Sequence, residues 1–148
     1  MLLTCVTYVD DAVAIAALYR SLARYLYERP ELSKRVTGVD RAIAVENKWR
    51  AQRYGISCIF VGKDGPVEIH DVLSTLIEQI SEDAAKLTCQ RELEDCKRIL
   101  ERGSSADAQL RIYRDNALNL TEVNRWIAET TAAGQMGAAC SATEKAVI

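Results

Sequence analysis

The sequence is short of chain breakers: two prolines and seven glycines stand among 148 residues. Few interruptions divide it, and it holds no internal repeat and no low-complexity block. Histidine is scarcer still, His70 being the only one, so a mixed Cys/His zinc centre has little to draw on. The five cysteines, Cys5, Cys58, Cys89, Cys96 and Cys140, are odd in number and scattered, with no C-x-x-C pair. Cys89 and Cys96 could share a helix face. Reduced, mostly buried thiols of a cytoplasmic protein are the plainer reading, and no metal ligand is assigned. Charge of one sign is also lacking. A formal net charge of -2 does not supply the basic bias of a nucleic-acid binder. No apolar run is long enough to span a membrane. Met1 to Val9 has neither the basic start nor the long apolar stretch of a signal peptide. G-x-x-x-x-G-K-[ST], G-x-G-x-x-G and G-x-S-x-G are all missing, and Gly62-Lys63-Asp64-Gly65 reads as a turn rather than a phosphate loop.

What is present is apolar and helix-forming. Apolar residues make up 49% of the chain, enough for a core, and the length fits one domain or part of one. Leu2 to Val9, rich in Val, Thr and Tyr, reads as a strand. It has no local partner, and its natural neighbour would be a sheet upstream of Met1. Ala12 to Leu18 with Leu22 and Leu26 predicts a helix over 11–28, with Asp10 or Asp11 as N-cap and Pro30 as its stop. Its wide apolar face calls for cover on several sides. A second helix fits 39–54, ended by Gly55. Runs 57–61 and 67–69 flank the Gly62–Gly65 turn as a hairpin. Helices follow over 71–87, 92–102, about 105–114 (capped by Ser104 or Ser105) and 120–131 (capped by Thr121). Residues 134–148 read as a disordered tail. The fold class is α+β, mostly α-helical, with one short β-hairpin and an N-terminal strand.

The richest chemistry lies between Glu46 and Gly55. On a helix, Glu46, Asn47, Arg50, Arg53 and Tyr54 fall within an arc of about 120°. Two guanidinium groups aimed one way suit a carboxylate or phosphate, because each planar fork binds two oxygens at once. Glu46 could orient Arg50 through an i,i+4 pair. The bland alternative is a solvated charged face. Trp49 reads as a core or interface anchor. A Cys58–His70 dyad across the hairpin is conceivable, though a buried or hairpin-edge histidine is the plainer reading. Ser105, Asp107 and Gln109 open a helix where an anion could sit, and simple capping is the stronger account.

Four segments resemble a known family in the same order. Glu46-Asn47-Lys48-Trp49-Arg50-Ala51-Gln52-Arg53-Tyr54-Gly55 resembles the E-N-[KR]-W-R-A-x-R-Y-G motif of the type 2 glutamate–cysteine ligase-like, or carboxylate–amine ligase, proteins. Val9 to Leu18 resembles the "DDAVALAAL" helix of that family, Ile99 to Gln109 its "ILARGTSADRQ" segment, and Trp126 to Thr131 its "WLVEET" end. The resemblance implies that residues 1–133 are the C-terminal portion of a glutamine synthetase-like catalytic domain. It implies ATP and Mg2+ as cofactors, with glutamate and cysteine or a related amine as substrates, joined through an acyl phosphate. Arg50 and Arg53 would bind a substrate carboxylate or phosphate oxygen, with Asn47 and Glu46 orienting them. The family's acidic metal-binding strands lie mainly ahead of the region represented here, and Leu2 to Tyr8 carries no charge. The chain is therefore expected to need a missing N-terminal part or a homo-oligomeric partner for activity. The alternative is a degenerate helical remnant acting as a structural or interaction module.

Overall fold

A computed structural model describes residues 7–144 of the chain, with side chains through residue 133. The chain forms α1 (Val9–Glu28), the short α2 (Glu31–Lys34), α3 (Gly38–Tyr54), a 3-10 turn (Gly55–Ser57), β1 (Ile59–Val61), β2 (Pro66–Glu68), α4 (Ile69–Lys86), α5 (Gln90–Arg102), α6 (Ser105–Asp115) and α7 (Leu120–Glu144). The fold is mostly helical α+β, as the periodicity indicates. The expected strand at Leu2–Val9 falls largely outside the described residues; Val9 itself opens α1. Helix α7 runs past Thr131 through Glu144, into the segment expected to be a tail.

Three helices make the core. Ala14 and Ala17 of α1, Ile77, Ile80 and Ala84 of α4, and Leu93 and Cys96 of α5 form one buried cluster with Cys89. The small α1 side chains let the helices approach closely. The Cys96 thiol reaches the Ala14 carbonyl at 3.2 Å, and buried Ser21 meets the Cys89 sulfur at 3.5 Å. Burying each large aliphatic side chain contributes about 1.5–3 kcal/mol. A charge cluster closes one end. Asp83, 1% exposed on α4, accepts a hydrogen bond from Arg29 Nη1 at 3.1 Å. Arg24 Nε lies 3.3 Å from its other oxygen. That contact is not a hydrogen bond: among the described residues Arg24 Nε is buried without an acceptor and is held to Asp83 by charge. Arg29 also lies over the Tyr25 ring at 4.2 Å and donates to the Tyr25 carbonyl.

The hairpin is antiparallel, with Ile59 opposite Glu68, Phe60 opposite Val67 and Val61 opposite Pro66. Gly62 is required at its turn: a Cβ there would stand 2.8 Å from both the Gly65 carbonyl oxygen and the Val67 side chain. Pro66 sits at the start of β2, where its missing N–H costs least. The hairpin and α3 pack together, and β2 runs straight into α4. This arrangement ties the charged helix to the core.

Two capping expectations are corrected. Asp10 and Asp11 are not N-caps: Tyr8 holds that position without a side-chain bond, and both acids lie in the first turn of α1. There they favour the helix dipole, and Asp11 is drawn away to Arg102 at 2.5 Å. Thr121 does not cap α7 either. Its backbone N–H donates to the Asn119 side-chain oxygen at 2.9 Å, so the short asparagine one residue ahead of the helix takes the role.

Candidate functional site

Helix α3 is fixed at both ends. Thr37 and Asp40 form a capping box, each side chain accepting from the other's backbone N–H. Gly55, with φ 59°, ends the helix in a conformation that L side chains rarely adopt. Asp40 Oδ1 also pairs with Lys63 Nζ at 2.9 Å, joining the first turn to the hairpin loop. The Thr37 backbone N–H first, then the Lys63 ammonium, hold the Asp40 carboxyl well below the usual carboxylate range.

The four residues singled out on this helix separate into two groups. Arg50 Nε donates to Glu46 Oε1 at 2.8 Å, the expected i,i+4 pair. Arg50 Nη1 donates to the Ile59 carbonyl at 3.2 Å. Asn47 Nδ2 donates to the Val61 carbonyl at 2.9 Å, and the Val61 N–H donates to Asn47 Oδ1 at 2.7 Å. Glu46, Asn47 and Arg50 thus form one contact set that holds β1 on α3. Arg53 stands apart, exposed on the last turn, with no ion pair among the described residues. Trp49 is 53% exposed, so it is not a core anchor. Its ring meets Tyr54 edge-on at 6.1 Å between centroids.

A second convergence was not legible as a site. Tyr8, Asp10 and Asp11 at the start of α1, with Arg98, Glu101 and Arg102 of α5, line a cleft of about 390 Å³. Arg102 lies 4.1 Å over the Tyr8 ring while bonded to Asp11. Trp126 of α7 meets the same ring edge-on at 6.3 Å. Buried Thr7 and Ser105 share a hydrogen bond beside it. Segments that resemble three separate family motifs therefore meet around Tyr8. The tyrosine's position just ahead of a helix gave no signal of this, because each partner comes from a distant part of the chain.

The remaining candidates resolve into structural roles. Ser104 and Asp107 form a capping box at α6, and Gln109 donates to Ser105 at 3.0 Å, so these groups satisfy one another. Cys58 and His70 line one shallow depression, but Cys58 is 3% exposed and burial pushes its thiol up, against thiolate formation. Burial, then the neighbouring Asp95, Asp11 and Glu94 carboxylates, raise Cys96 to about 11. Among the described residues, no three His, Cys, Asp or Glu side chains gather closely enough to hold a metal ion. No helix of the described residues is long and apolar enough to cross a membrane.

A capped helix that presents arginines beside a hairpin, on a mostly helical α+β body, defines the class only broadly. Comparison with known proteins narrows it. The model of glutamate-cysteine ligase family 2 matches residues 4–142. The chain is 62% identical over 132 residues to "Putative glutamate--cysteine ligase 2" of Bradyrhizobium diazoefficiens, covering 89% of this chain and 31% of that protein. It is 39% identical over 137 residues to the protein of the same name in Rhodospirillum rubrum, covering 85% and 35%. It is 36% identical over 127 residues to that in Roseiflexus sp. strain RS-1, covering 84% and 33%. No solved structure matches significantly. The chain belongs to glutamate-cysteine ligase family 2, and it spans about a third of the length of the curated relatives it matches.

Proposed function

We propose that this chain is part of an ATP-dependent carboxylate–amine ligase that forms a γ-glutamyl amide bond. The family membership over residues 4–142 carries the reading. In the proposed reaction, the γ-carboxylate of glutamate takes up the γ-phosphoryl group of ATP, giving an acyl phosphate and ADP. The amine of cysteine, or of a related acceptor, then attacks the acyl carbon. Phosphate leaves, and the nitrogen loses a proton. Mg2+ accompanies ATP in this reading, yet the described residues do not make a magnesium site, and the roles assigned to this chain involve none.

Arg53 is the group best placed to meet a substrate carboxylate or phosphate oxygen, because it is exposed and unpaired among the described residues. A guanidinium can hold two oxygens of such a group and stabilise charge that builds on them. Arg50 lies one turn earlier, oriented by Glu46, and joins Arg53 in this role. Asn47 acts through position, holding β1 against the helix. The test uses the intact Bradyrhizobium relative with this chain's sequence in place of its matching segment. Phosphate release is followed with ATP, Mg2+, glutamate and cysteine. Arg53→Ala and Arg50→Ala should each raise a substrate KM or lower kcat by about tenfold or more, roughly 1.4 kcal/mol. Unchanged kinetics in both removes the assignment.

One observation favours a second reading, a non-catalytic structural or interaction module. Three of the four candidate residues are spent on contacts within the chain. On that reading Arg50→Ala lowers thermal stability through its lost contacts, Arg53→Ala changes little, and neither alters a KM.

A further inference from the structure

Helix α3 is well formed, yet none of its residues is buried. Among the described residues its one neighbour of substance is the hairpin with the adjoining 3-10 turn. Asn47 faces that neighbour. Val45 lies two residues earlier, which places it about 160° around the helix from Asn47. Ala42, Val45 and Trp49 follow one another at spacings of three and four, so they form a stripe on the side away from the hairpin. The stripe is open: Val45 is 70% exposed and Trp49 53%, and Tyr54, in edge contact with Trp49, is 56% exposed. Exposed Arg41 and Lys48 edge it, while the carboxylate of Glu46 is taken by Arg50. An isolated helix of this length is marginal in water and draws its stability from a covered apolar face. Here no element of the described chain supplies the cover.

We propose that this stripe docks the part of the family 2 ligase chain that the present chain does not span. The length of the relatives supports that occupant. The chain covers 31% of the Bradyrhizobium protein and 35% of the Rhodospirillum one, so in those relatives most of the chain lies outside the matching segment. Trp49 and Val45 supply the apolar contact at the centre, and the basic rim selects a partner surface that is apolar with carboxylates at its edge. The inference rests on family membership and on exposure, and it stands or falls separately from the catalytic roles proposed for Arg50 and Arg53.

Hydroxyl-radical footprinting read by mass spectrometry tests it without any activity assay. The same sequence is labelled twice, as the chain alone and within the intact Bradyrhizobium relative in place of the matching segment. Trp49 should be oxidised readily in the chain alone and lose that labelling in the intact protein. Val45→Asp should leave the melting temperature of the chain alone unchanged, since the side chain is in water, and lower that of the intact protein. Val45→Ala, which introduces no charge, should do the same to a smaller degree. Equal labelling of Trp49 in both settings overturns the proposal. So does concentration-dependent protection in the chain alone with a dimeric mass, which would make a second copy the occupant.

Discussion

Asn47 and Val61 exchange two hydrogen bonds, one in each direction, across fourteen residues of chain. The carboxamide stands in for a third strand: it offers β1 the donor and acceptor that a neighbouring backbone would offer. A two-stranded hairpin alone is marginal in water, so this side-chain grip supports it. Asn47→Ala should cost about 1–3 kcal/mol, two net hydrogen bonds plus the penalty of a half-buried unpaired amide. Asn47→Asp keeps the acceptor for the Val61 N–H and loses the donor, and should fall between. Denaturant unfolding gives the free energies, and hydrogen exchange at the Val61 amide should accelerate in both variants.

Asp83 is a second device of this kind, placed where α4 meets the end of α1. Its carboxylate is buried against Arg24 and Arg29, each about a third exposed. Asp83→Ala removes the countercharge from Arg24 and the carboxylate acceptor from Arg29 and should destabilise by about 3 kcal/mol, the lower end for breaking a buried pair because both arginines keep some water. Asp83→Asn retains a hydrogen-bond acceptor for Arg29 and should cost less. A thermal melt of both variants ranks them; equal losses would mean that shape rather than charge holds the site.

These two contacts also mark where the sequence stopped being readable. Local signals were sound: Pro30 ends α1, Gly55 and Gly103 end α3 and α5, and the Gly62–Gly65 turn makes the hairpin. They depend on backbone geometry within a few residues. The helical arc that gathered Glu46, Asn47, Arg50 and Arg53 was also correct as a projection. What it could not contain was the hairpin docking on one flank, which turns Asn47 and Arg50 toward β1 and leaves Arg53 in water. Asp83 lies within a helix read for its apolar face, and only the fold brings Arg29 to it from 54 residues away. Asp11 looked like a cap because its partner, Arg102, is 91 residues distant.

The Asp40 capping box sets a pH dependence. Its carboxyl is depressed in the folded chain by the Thr37 N–H and Lys63. A group whose folded pKa lies below its unfolded value stabilises the fold above the unfolded value, near 3.8, and loses that contribution as pH falls through the folded one. The start of α3 should therefore hold at neutral pH and fray only in strong acid. Asp40→Asn should remove this acid dependence. Amide chemical shifts of Thr37 and Asp40, followed by NMR from pH 6 downward, report it directly. A midpoint near 3.8 for the native protein would mean that the capping box does not form in solution.

The buried thiols should be chemically silent until the core opens. Cys96 sits between α1 and α5, 2% exposed, with its pKa raised to about 11 by burial and three nearby carboxylates. At pH 8 about one molecule in a thousand would carry the thiolate there, against about one in ten for an unperturbed thiol with the ordinary value of 9.0. Access compounds the effect, because alkylation needs the sulfur exposed as well as ionised. Iodoacetamide at pH 8, with peptide mapping, should label Cys96 at least about 100-fold more slowly in the native protein than in urea. Since the three core helices share one cluster, the protection should vanish at the same denaturant concentration at which helical circular dichroism is lost. Labelling that precedes the loss of helix would show that α5 separates from α1 before the core unfolds, and that the Cys96–Ala14 contact is not part of a single cooperative unit.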